Sequence, residues 1–249
     1  MLEVEHFSKA YEGAYAVRDL SFALPSGAIL GLVGPNGAGK TTTLRSIAGI
    51  LPVKEGAIRV AGRDLAREES AAKKSLYWIP DDPRPFDTLT VAEHLEFTAA
   101  LYEVPNWHAE ASELLERFEL VEKRDAVGGE LSRGMRQKLA FCCAWLAHPK
   151  LVLMDEPLTG LDPRGIRSAK DSIKALAARG TAVILSSHLL ELIEELASRL
   201  LILARGQKVF EGTLADARAT LSAGEAKSLE EIFMAVTEHR QDGTPPPAP

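Results

Sequence analysis

The chain has 249 residues, 46% of them hydrophobic and 26% charged, a balance that supports one large folded body and excludes a disordered or fibrous chain. Its formal net charge of −6 argues against a dedicated nucleic-acid binder, which would need a surplus of Lys and Arg for phosphate contacts, so no nucleic-acid partner is expected. The opening Met1-Leu2-Glu3-Val4-Glu5-His6 carries charges where a secretion signal needs an apolar core, and no apolar run approaches the roughly 20 residues that cross a bilayer, so any membrane role must come through a partner.

Alternation at Leu2, Val4 and His6, and again from Val17 to Leu24, predicts two antiparallel strands before the Pro25-Ser26-Gly27 turn. The run from Ala28 to Val33 is apolar throughout, as in a strand covered on both faces. It leads into Gly34-Pro35-Asn36-Gly37-Ala38-Gly39-Lys40-Thr41, a phosphate-binding loop set between a buried strand and a helix predicted over Thr41 to Ile50. The glycines let consecutive amides curl around a β-phosphate, and the helix N-terminus directs partial positive charge at the same anion. Lys40 is expected to bridge β- and γ-phosphates, Thr41 to offer its hydroxyl to Mg²⁺, and Thr42 to reach a nearer phosphate oxygen.

Strands are predicted over Ala57 to Val60 and Ser75 to Ile79, with turns at Gly56 and Gly62. From about Val91 to Ala147 only helical signals occur, among them a capping box at Thr90-Val91-Ala92-Glu93 and an amphipathic stretch from His108 to Leu120. Within it the adjacent Cys142 and Cys143 sit among apolar neighbours, as buried reduced thiols do. Alternation then returns: strand over Leu151 to Met154, helix over Arg164 to Ala178, strand over Thr181 to Leu185, helix over Leu189 to Ala197, strand over Leu200 to Leu203. A parallel sheet with crossover helices follows. Gly206 turns a hairpin into Lys208 to Glu211, capping boxes at Thr213 to Asp216 and Ser228 to Glu231 open two last helices, and a proline-rich tail closes the chain.

The apolar strand Leu151-Val152-Leu153-Met154 runs into Asp155-Glu156, which puts two carboxylates at the sheet edge beside the glycine loop. Asp155 is expected to hold Mg²⁺ and Glu156 to orient the attacking water. With Leu131-Ser132-Arg133-Gly134-Met135 upstream, the chain resembles the ATP-binding subunits of ABC transporters over nearly its whole length. That resemblance implies an α/β P-loop NTPase fold with a mixed β core, an inserted α-helical subdomain and N-terminal antiparallel strands. It divides the chain into a core of residues 1–80 and 148–212, a helical part of 81–147, C-terminal helices of 213–240 and a disordered tail of 241–249. It also implies that Ser132 and Gly134 contact ATP held by a second copy in a head-to-tail dimer. Ser132 serves equally as the N-cap of its helix, because cap and contact use the same amides.

The same resemblance makes Tyr11 the aromatic that stacks on adenine, with Tyr15 as the neighbouring alternative, and His188 the histidine that grips the γ-phosphate. Asp162 communicates across the dimer on this reading; an N-cap before Pro163 is the local alternative. A transmembrane permease subunit is implied as partner, and a cytoplasmic, peripheral place on the inner face of the membrane. The chain departs from the family pattern at Asp81, where Gln is usual beside Mg²⁺ and the lytic water, at Arg133, where a small glycine is usual, and at Met135, where Gln is commoner. Asp81 is expected to join the metal site and to slow or regulate hydrolysis; Arg133 is expected to be solvated, with added charge near the γ-phosphate as the alternative. A basic residue before Gly-Met is similar to the exporter-like bacterial branch. Other classes are a soluble ABC protein on ribosomes or DNA, a regulatory nucleotide-binding module and a small-molecule kinase; Glu156, His188 and the Ser132 turn favour the transport ATPase.

Overall fold

The computed structural model describes residues 1–221 together with 230 and 231. The capping box expected at Ser228, the rest of the helices assigned to 213–240 and the tail from 241 otherwise lie outside the described residues. In chain order the elements are β1 (Leu2–Tyr11), β2 (Ala14–Leu24), β3 (Ile29–Val33), α1 (Lys40–Ile47), β4 (Glu55–Val60), β5 (Arg63–Asp64), α2 (Glu69–Lys73) and β6 (Leu76–Ile79). Three helices follow, α3 (Val91–Leu101), α4 (His108–Arg117) and α5 (Arg133–Leu146). The chain then runs through β7 (Leu151–Asp155), α6 (Pro163–Ala178), β8 (Ala182–Ser186), α7 (Leu190–Leu196), β9 (Arg199–Ala204), β10 (Gln207–Thr213) and α8 (Leu214–Leu221).

The described strands form two sheets. A four-stranded antiparallel sheet has the order β2-β1-β4-β5, and a six-stranded sheet has the order β10-β9-β3-β8-β7-β6. In the larger sheet β6, β7, β8, β3 and β9 are parallel and β10 closes the edge antiparallel. Both faces of this sheet are covered, so its central strands are apolar except where they end or begin at Asp155, Ser186 and Arg199. In β7, Leu151 and Leu153 face α1 and the antiparallel sheet, whereas Val152 and Met154 face the layer built from α3 to α7. The same sorting separates Ala182 and Ile184 from Val183 and Leu185 in β8, and Leu201 and Leu203 from Leu200 and Ile202 in β9. The result is an α/β sandwich with a helix-only stretch between β6 and β7.

Several helices start where side chains supply the missing acceptors. At α3 the Thr90 hydroxyl accepts from the Glu93 amide while the Glu93 carboxylate accepts from the Thr90 amide. Thr213 and Asp216 make the same reciprocal pair at α8. Cys142 and Cys143 are buried, and burial pushes the Cys143 thiol up to about 11, so it stays protonated and inert at neutral pH. Among the described residues no helix is long and apolar enough to cross a membrane.

Candidate functional site

Four parallel strands that are neighbours in the sheet deliver their carboxyl ends to one edge. β3 ends at Val33 before the glycine loop, β8 ends at Ser186 before Ser187 and His188, β7 ends at Asp155 before Glu156, and β6 ends at Ile79 two residues before Asp81. The register pairs Ser186 with Leu32 on one side and Asp155 on the other, so the loop and the carboxylates flank a single strand end. Ligands of open α/β sheets gather at this edge because helix N-termini and free loop amides converge there.

The loop folds as its glycines require. Gly37 and Gly39 adopt φ of 78° and 102°, and a Cβ on Gly39 would stand 2.6 Å from the Ala16 carbonyl oxygen, so no other residue fits there. Gly39 caps α1 without any side-chain acceptor, which leaves the first-turn amides open toward the loop. Lys40 Nζ donates to the carbonyl oxygens of Gly34 (2.6 Å) and Pro35 (3.2 Å), curling over the loop it belongs to. Burial lowers its pKa, opposed by the charges of Glu156 and Asp155. An anionic phosphate is a stronger acceptor than either carbonyl and would oppose that lowering.

Thr41 Oγ1 donates to Asp155 Oδ2 at 3.0 Å, joining α1 to β7. Asp155 is only 7% exposed. Burial raises its pKa, the charges of Glu156 and Asp81 add to the rise, and the Thr41 hydrogen bond works against it. A buried carboxylate beside a hydroxyl is a pair of hard oxygen donors short of positive charge, which suits Mg²⁺. Among the described residues no three carboxylate, imidazole or thiol groups converge as a metal centre, so the remaining oxygens would come from phosphate and water.

Glu156 has φ of 47°, a left-handed value uncommon outside glycine, which turns its side chain from the strand line toward β8. The backbone N–H of His188 donates to Oε1 at 2.8 Å, and the Ser187 hydroxyl donates to Oε2 at 3.1 Å. His188 Nδ1 lies 2.8 Å from Oε2; an ionised carboxylate only accepts, so Nδ1 carries the proton of this bond. The sequence shows a hydroxyl directly before His188, but nothing local marks Ser187 as a partner of Glu156.

Ser132 caps α5, its hydroxyl accepting from the Met135 amide at 3.3 Å, and it is exposed. A Cβ on Gly134 would lie 2.5 Å from the Gly160 carbonyl oxygen, so the turn at Ser132 and the loop after β7 approach as closely as glycine allows. Asp162 acts as the N-cap of α6: its Oδ1 accepts from the Gly165 amide at 2.6 Å and its Oδ2 from Lys138 Nζ at 3.1 Å. Those two bonds hold its pKa below the ordinary carboxylate value. Tyr11 and Tyr15 both lie on the β1–β2 hairpin and are 47% and 49% exposed, so exposure does not separate them. Arg133 is exposed, as expected of a solvated residue, and it also pairs with Asp81 at 2.8 Å, because the turn after β6 passes directly against the start of α5.

Comparison with known proteins places this geometry. The family model described as "ABC transporter" matches residues 17–159, and one described as an AAA domain matches 127–194. The chain is 31% identical to the "ABC-type transporter ATP-binding protein EcsA" of Bacillus subtilis, over 96% of this chain and 97% of that one. It is 32% identical to the "Daunorubicin/doxorubicin resistance ATP-binding protein DrrA" of Streptomyces peucetius, over 96% of this chain and 77% of that one. Among solved structures, one titled "Structure of ATP binding subunit of ABC transporter" superposes with a TM-score of 0.91 at 32% identity, over 95% of this chain and 99% of the other.

Proposed function

The chain belongs to the ABC transporter family of ATP-binding proteins, and on that premise we propose that it drives export through a separate transmembrane permease subunit by closing as a head-to-tail pair around ATP. ATP binding and hydrolysis come with the family, as does work with transmembrane components. Export as the direction is favoured by the likeness to the daunorubicin/doxorubicin resistance protein and by the basic residue before Gly134. The place this implies is the cytoplasmic face of the membrane, with the helices between β6 and β7 turned toward the permease subunit.

In this reading the amides of Gly34, Pro35, Asn36, Gly37, Ala38 and Gly39 cradle the phosphates, Thr42 reaches one of their oxygens, and Lys40 leaves its loop carbonyls for the β- and γ-phosphates. Tyr11 stacks on the adenine. Thr41 and Asp155 hold Mg²⁺, with Asp81 at the margin of that site; the ion supplies positive charge against the phosphate oxygens. Glu156 accepts from the attacking water, and its three bonds to Ser187 and His188 keep the carboxylate aimed while the imidazole stands ready at the γ-phosphate. Ser132 and Gly134 close the site of the second copy, presenting the start of α5 to its γ-phosphate. Asp162, anchored to α5 through Lys138, sits where the two copies would meet.

The single observation that carries this reading is the meeting of glycine loop, Thr41–Asp155 pair and Glu156–His188 pair at one sheet edge. The purified chain should release phosphate from Mg²⁺-ATP, and Glu156→Gln should keep ATP bound while lowering release by about two orders of magnitude or more. Turnover unchanged in Glu156→Gln would contradict the assignment.

A further inference from the structure

Two of the positions at which the chain departs from the family pattern, Asp81 and Arg133, touch each other. Arg133 Nη2 lies 2.8 Å from Asp81 Oδ1 and 3.3 Å from the Asp81 carbonyl oxygen. Fifty-two positions separate them in sequence. Arg133 is the first residue of α5, where the helix dipole disfavours a cation, and α5 has no acid of its own in its first turn. Negative charge arrives instead from the turn after β6: Asp81 pairs with Arg133, and Asp82 pairs with Arg136 at 3.1 Å. The stem of Arg133 runs over Gly160, where a Cβ would stand 3.4 Å from its Cγ and Cδ. One side chain thus bridges the start of α5, the Asp81 turn and the loop after β7.

Both members are about half exposed, at 44% and 52%. A pair this wet contributes little to folding, so its consequence lies in where it holds the carboxylate. Asp81 lies two residues past Ile79 of β6, whose register partner Met154 immediately precedes Asp155, and Asp155 shares a hydrogen bond with Thr41 of the glycine loop. A bare carboxylate there would repel an entering polyphosphate and attract a divalent cation; the same carboxylate held by a guanidinium does each more weakly.

We propose that Arg133 is a positioning residue for Asp81: it holds the carboxylate against α5 and offsets part of its charge at the phosphate end of the nucleotide site, and a divalent cation competes with it for that carboxylate. The inference rests on the reading that Asp81 borders the metal site, but not on dimer formation. On this account the Asp and the Arg are one compensated exchange.

Equilibrium binding of trinitrophenyl-ATP to the purified full chain tests it, once in EDTA and once across a Mg²⁺ titration. Arg133→Gln should weaken metal-free nucleotide binding about threefold and lower the half-saturating Mg²⁺ by a similar factor, the size expected when one exposed charge loses its partner. Arg133→Lys should stay close to the parent in both. In an Asp81→Asn background, Arg133→Gln should change neither quantity. A purely structural role would shift both conditions in the same direction and persist in that background, and either result would overturn the proposal. Should Asp81→Asn alone leave the Mg²⁺ requirement unmoved, the metal-site reading of Asp81 falls first; should Asp81→Asn move it while Arg133→Gln does not, only the positioning role of Arg133 falls.

Discussion

At the scale of single residues, the best-determined group in the site is the Glu156 carboxylate. Its left-handed backbone aims it at β8, where one amide, one hydroxyl and one imidazole fix both oxygens. Removing the hydroxyl takes one bond from a charged acceptor, a contribution of about 1.5–3 kcal/mol where fully expressed. Ser187→Ala should therefore lower turnover about tenfold while leaving ATP affinity nearly unchanged, read from steady-state rates beside a binding isotherm. Residues whose placement depends on neighbours in the chain were legible in the sequence: the glycine loop with Lys40 and Thr41 between strand and helix, and Asp155 behind an apolar strand. Partnerships across distant segments were not. Ser187 with Glu156, Lys138 with Asp162 and Arg133 with Asp81 are decided by which strand ends and helix starts meet, and no local pattern encodes that.

At the scale of elements, capping boxes made helix starts the most readable boundaries. Thr90 with Glu93 and Thr213 with Asp216 form the reciprocal bonds that their spacing predicts. Ends were less legible: α1 was expected to reach Ile50 and stops at Ile47, because Gly49 at φ 67° turns the chain out of the helix. The short β5 and α2 carry too few residues for any periodicity to show, and β2 begins three residues before the expected Val17 because the Glu12-Gly13 turn pairs Tyr11 with Ala14. Thr90→Ala should cost about 1 kcal/mol in a denaturant titration, the usual loss for an N-cap.

The helix-capping acids also set an acid limit. Hydrogen bonds from the Thr90 amide and hydroxyl hold Glu93 below its ordinary 4.5, and those at Gly165 and Thr213 hold Asp162 and Asp216 below 3.8. A carboxylate depressed in the folded state stabilises fully above its unfolded value and loses that contribution as pH falls through the folded one. Melting temperature should accordingly hold down to about pH 5 and fall below it, with a shallower fall in Asp162→Asn. An unchanged slope in that variant would remove Asp162 from this set.

At the scale of the whole molecule, the sheet sorts alternate residues into two apolar layers, and this part of the fold was written plainly in the sequence as unbroken apolar runs. What the runs could not give was strand order, and strand order is what sets β3, β8, β7 and β6 side by side with their chemistry at one edge. The exposed Ser132 turn belongs to a different surface feature, the start of α5, and its positive helix end has a use in the proposed reaction only if a second copy brings its own phosphates to it. Head-to-tail closure around ATP is thus the claim from which coupling to a membrane partner follows. Sedimentation of Glu156→Gln with and without Mg²⁺-ATP measures it most directly: the mass should double with nucleotide, and adding Ser132→Arg to the same chain should abolish the doubling. A nucleotide-bound variant that keeps the mass of one chain, or a dimer indifferent to Ser132→Arg, would contradict it.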